Sequence, residues 1–194
     1  MMRNCKSVGA LALLLGSMAW SVAGGARAAD AQPSLDVRQA NDFAQLFVNT
    51  CMAHFGDVPG LLEKLQSSTR QIPANLNGAF LGGGEGVAFA IPNKIGRYVV
   101  ALRTDGICSV FVHEADVATM EKRFTAIATN TAEGSTAEKI RDEARQEPGR
   151  GMHTVIYTWT IPKVTRKAML TLTTAVGADA DIQGMMSLAI VSDE

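Results

Sequence analysis

The sequence predicts an α+β domain: a mainly antiparallel sheet of about five to six strands with helices packed on one face. Three observations predict it. Apolar residues recur at three- and four-residue spacing over 37–55 and 115–130, the pattern of a helix with one buried face. Runs rich in β-branched and aromatic residues, bounded by glycine or proline, read as strands. The order is helices, a strand meander, a helix, then a second meander, and strands joined by short turns pair antiparallel.

The first residues read as an export signal. Met1-Met2-Arg3-Asn4-Cys5-Lys6 carries two positive charges, and the apolar stretch Val8 to Val22 follows. Ala26-Arg27-Ala28 places small residues where signal peptidase reads, so residues 1–28 are expected to leave by cleavage near Ala28/Ala29. A membrane anchor would need about 20 apolar residues, and this core is shorter and broken by Gly16 and Ser17. A lipoprotein would carry its cysteine after the core, whereas Cys5 precedes it. Residues 29–194 then form one domain, periplasmic or secreted.

Cleavage changes the charge. Arg3, Lys6 and Arg27 depart with no acid, so the 18 basic residues become 15 against 19 acids, a net charge of about −4. A mildly acidic chain without a basic block speaks against nucleic acid as a partner. No later apolar run is long enough to span a membrane.

Cys51 and Cys108 remain, and in an oxidising compartment an even pair is expected to bond. The first helix places Val37, Ala40, Phe43, Ala44, Phe47, Cys51 and Phe55 on one face. Cys108 lies in the strand Ile107 to His113, sharing a face with Val110 and Val112. A helix docked on that face brings the sulfurs together. Closing a loop of about 58 residues is worth at most roughly 4 kcal/mol.

The remaining elements follow in order. Gly56 caps the first helix, and Asp57-Val58-Pro59 starts a second, with Leu61, Leu62 and Leu65 inward. Residues 68–84 read as a loop. Gly86 to Ile91 is a strand stopped by Pro92, and Arg97 to Arg103 turns at Asp105-Gly106, a hairpin signal, into Ile107 to His113. The third helix buries Val117, Met120, Phe124, Ile127 and Ala128. Residues 131–150 are charged, and 137–145 fit a polar edge strand or a helix equally. Met152 to Ile161, Lys167 to Val176 and Met185 to Val191 complete the strands.

No catalytic, cofactor or metal motif stands out. The glycine string Leu81 to Gly86 leads into a strand and lacks the following lysine of a phosphate cradle. His54, His113 and His153 lie on separate elements without a partner at metal-ligand spacing. Glu85, Ser109, His113 and His153 form the pool from which a pocket could be assembled. Ser109 and His113, four strand residues apart, are about 13 Å from each other, too far for a nucleophile and its base. Glu114 and Asp116 fit the start of the third helix, where acids suit the dipole. His153, Val155, Tyr157, Trp159 and Ile161 share a strand face that reads as core.

Phe47-Val48-Asn49-Thr50-Cys51 with Phe55-Gly56, Phe80-Leu81-Gly82-Gly83 with Ala88 to Pro92, and Gly106 to Phe111 resemble a family of small exported proteobacterial proteins with no assigned activity. Tyr157-Thr158-Trp159 and the closing strand extend the similarity. The resemblance implies an exported single domain and brings no catalytic residue. The expected function is a non-enzymatic binding or accessory protein of the cell envelope, its partner another envelope protein or a small ligand. The alternatives are a hydrolase-like enzyme built from Glu85, Ser109, His113 and His153, or an inhibitor or immunity protein presenting the loop 81–86 or 146–151.

Overall fold

Among the described residues, the strand-forming runs assemble into one antiparallel sheet of eight strands, with three α-helices on one face and a short fourth on the other. The computed structural model describes residues 32–162, 165–177 and 180–192. The expected export signal and its cleavage site lie outside the described residues. The elements are α1 (Leu35–Phe47), α2 (Val58–Ser68), β1 (Arg70–Gln71), α3 (Gly78–Leu81), β2 (Gly86–Ile91), β3 (Tyr98–Arg103), β4 (Cys108–Val112), α4 (Val117–Thr129), β5 (Thr136–Glu147), β6 (Arg150–Thr160), β7 (Arg166–Val176) and β8 (Gly184–Ser192). The strand order is β1-β2-β3-β4-β8-β7-β6-β5. The two meanders therefore join through β4 and β8, with Val110 opposite Met186 and Cys108 opposite Leu188.

The sheet holds eight strands where five to six were expected. One addition is β1, two residues paired with the end of β2. The other is β5, which settles the open choice for 137–145 as an edge strand. Its side chains are charged and exposed, so strand state comes from the hydrogen-bond ladder to β6 rather than from an apolar stripe. A register shift between Lys139 and Arg141, with the alternating charges, blunts this free edge against further pairing.

The helices are also distributed differently from the expectation. α1, α2 and α4 cover the face made by Phe89, Val100, Val110, Leu172 and Met186. α3 lies on the opposite face, where Leu81 packs with Ala88, Val99, Ala101 and Phe111. The Phe80 ring meets Phe111 edge-on, centroids 5.2 Å apart. α3 ends at Gly82, whose φ of 55° is a left-handed C-cap, so the glycine string serves a helix stop.

Packing on the helical face follows the sequence pattern. Phe43 and Phe47 of α1 and Met120 and Phe124 of α4 are fully buried, and the two helices pack against each other. Asp116 caps α4 by accepting from Thr119 N at 2.7 Å. Asp57 caps α2 by accepting from Gly60 N. The expected single helix over 37–55 instead passes at Val48 into a π-helical turn, Val48–Met52, then unwinds through a turn to Gly56. The wider turn lies at the segment that carries Cys51 to the sheet.

Candidate functional site

Cys51 and Cys108 are bonded, with Cα atoms 5.5 Å apart and a sequence separation of 57. The bond pins the end of the first helical segment to the start of β4. Around it, chain segments distant in sequence converge: the turn after the π-helical segment, the start of α2, the β3–β4 hairpin and the ends of β7 and β8. They enclose a pocket of about 390 Å³. The hairpin is closed by Gly106, whose φ of 88° suits its turn, with Arg103 N donating to Ile107 O at 2.9 Å.

The pocket wall is mainly apolar. Val58, Leu61, Leu188 and the two cysteines form its depth, and Phe55 and Ile190 stand at its mouth, 42% and 45% exposed. Its polar groups are His54, Thr104, Asp105 and Arg166. The Arg103 guanidinium holds the Asp105 carboxyl below the usual carboxylate range, donating to both of its oxygens. Neither His54 nor Arg166 makes a side-chain hydrogen bond or ion pair to another described residue.

A second polar cluster lies between α4 and the sheet. His153 Nδ1 is 2.7 Å from Glu121 Oε1, and Nε2 is 2.8 Å from Asp142 Oδ1. Lys139 donates to the other Asp142 oxygen, and the Thr174 hydroxyl donates to Glu121. A neutral imidazole has one N–H, so two carboxylates on its two nitrogens require the imidazolium. Hydrogen bonds to Glu121 and then Asp142 accordingly raise the His153 pKa. Lys139, then His153, lower that of Asp142. With every group engaged in the cluster, this arrangement is a clamp.

The four pooled residues are not brought together. Glu85 is exposed before β2, its carbonyl accepting from Thr104 N at 2.9 Å. Ser109 is buried on the α3 face in mid-sheet, opposite Ala101 and Ser187. His113 lies half-buried past β4, where burial and then the charge of Arg97 push its pKa down. His153 is on the other face, in the clamp. No hydrogen bond joins any two of the four. Among the described residues, no group of three or more His, Cys, Asp or Glu side chains is placed to hold a metal ion.

Sequence reasoning passed over His54 and Arg166. His54 had a signal, since residues flanking both cysteines must meet once the bond is drawn. Arg166 had none, because only the β7–β8 pairing brings it there. The Tyr157 and Trp159 row is core as expected: Tyr157 meets Phe124 edge-on, and Trp159 Nε1 donates to Ala128 O at 2.6 Å. No helix among the described residues is long and apolar enough to cross a membrane. No family model matches the chain, and no curated protein or solved structure matches it.

Proposed function

We propose that this chain is an exported, non-enzymatic binding or accessory protein of the cell envelope, and a member of the exported proteobacterial family it resembles. One observation carries the reading: Glu85, Ser109, His113 and His153 do not converge, while the pocket against the disulfide is walled mainly by apolar groups. The leader-like sequence of residues 1–28 and the Cys51–Cys108 bond support this reading, because such bonds persist in oxidising compartments.

The test is expression of the full chain with a C-terminal tag, cell fractionation, and purification of the periplasmic form. The reading expects an N-terminus at Ala29, no free thiol after denaturation, and a ligand or envelope protein retained in stoichiometric amount. A cytoplasmic protein with two reactive thiols would overturn export. Turnover of an ester, amide or glycoside that is lost in Ser109→Ala or His153→Gln would overturn the non-enzymatic assignment.

A further inference from the structure

We propose that the pocket against the Cys51–Cys108 bond binds a small amphipathic anion, an apolar chain or ring bearing one carboxylate. The inference rests on the binding-protein reading above and names its ligand class. Sites for small molecules are concave, largely apolar and about 300–1,000 Å³ in size, with few polar groups to orient the ligand. At about 390 Å³ this pocket suits one short chain or ring system.

The apolar half of the ligand is specified by the walls. Phe55 and Ile190 flank the mouth with large exposed surfaces, and Leu61 and Leu188 lie buried behind them with the disulfide. Covering these surfaces removes apolar area from water, which favours an apolar occupant. The pocket edge is held by the disulfide and a hydrogen-bonded hairpin, so little ordering is left to accompany binding.

The charged half is specified by what remains unpaired. Asp105 is the one acid on the pocket lining, and Arg103 neutralises it. Among the described residues Arg166 has no side-chain partner, and the His54 ring offers a second polar site. A carboxylate fits this complement, since guanidinium donates two parallel hydrogen bonds to it. A cationic ligand would face Arg166, and among the described lining residues no free acid would meet it.

The test uses the disulfide-bonded protein lacking residues 1–28 and sodium decanoate below its micelle concentration, followed by NMR of the His54 ring and the Gly106 amide. Decanol supplies the chain without the charge, and butyrate the charge with little chain. We expect saturable shifts at both reporters with decanoate, and affinities for decanol and butyrate at least about tenfold weaker. Arg166→Gln and Ile190→Asp change exposed side chains, so each should keep the parent melting temperature while weakening decanoate about tenfold or more. Absence of binding, shifts confined to other residues, or equal affinity in Arg166→Gln would overturn the proposal. If decanoate fails while an envelope protein is still retained, the ligand assignment falls and the binding-protein reading stands. If decanoate binds and its esters are turned over in the same pocket, the ligand class stands and the non-enzymatic reading falls.

Discussion

His153 Nδ1 lies 2.7 Å from Glu121 Oε1, which ties β6 to α4 through a charged hydrogen bond. On its other side the ring meets Asp142 of β5, so one imidazolium holds a helix, an inner strand and the edge strand. The pair is about one-third exposed, which limits its strength through solvent screening.

This clamp makes stability depend on pH. The folded-state pKa of His153 is raised above 6.5. Its contribution is therefore complete below the unfolded pKa and lost as pH rises through the folded one. His153→Gln should cost about 1 kcal/mol or less at pH 5.5, and the difference from the parent should shrink by pH 9. Urea midpoints at both pH values check this, and an equal or larger difference at pH 9 would refute it.

The disulfide, whose two cysteines lie in the core, should contribute strongly to stability. Cys51→Ser with Cys108→Ser is expected to lower stability by up to roughly 4 kcal/mol. Denaturant unfolding of the double variant, against the oxidised parent, measures it. The same variant should loosen the pocket, seen as faster hydrogen exchange at Gly106.

Gly184 begins β8 directly beneath α4. A Cβ there would stand 2.5 Å from Met120 Sδ and 2.9 Å from Val112 Cγ1. Gly184→Ala is therefore expected to destabilise by about 1–3 kcal/mol. Met120→Ala in the same chain should recover part of that loss, so the double-mutant cycle must show favourable coupling.

Phe124 joins α4 to the second meander through its edge-on contact with Tyr157 at 6.0 Å. Phe124→Ala should cost about 3–5 kcal/mol by opening a cavity under a fully buried ring. Thermal unfolding gives the magnitude. A loss under 1 kcal/mol would mean the sheet and helix collapse into the space, against the packing seen here.

Much of the fold could be read in residue order because its elements carry their own periodicity. Phe43 and Phe47, Met120 and Phe124, and Val110 and Val112 announce buried faces at helical or strand spacing, and those faces are buried. β5 gives no such signal, since Lys139, Arg141, Asp142 and Glu143 are exposed on an edge and owe their conformation to β6. α3 is one turn long, too short for a period to show. The glycines meant to mark a loop instead include the residue that ends α3.

The candidate site was less legible. Ser109 lies on the face away from the helical core, His113 past the end of β4, and His153 on the helical face. The pooled residues are near in chemistry and far in space. The clamp joins positions 121, 142 and 153 from three elements, and the pocket joins position 54 to position 166 through the sheet. Such meetings depend on strand order, to which local pattern is blind.

The sequence alone determined the α+β class, most of the helix faces, the Asp105-Gly106 hairpin and the Cys51–Cys108 pair, though Phe55, expected on the buried face, stands exposed past the helix. These follow from residue spacing and from the chemistry of two cysteines. Tertiary structure decided the eight-strand count, the placement of β4 beside β8, the helix on the second face and the pocket at the disulfide. Those features arise from hydrogen bonds and packing between segments tens of residues apart, and no local run of side chains encodes them.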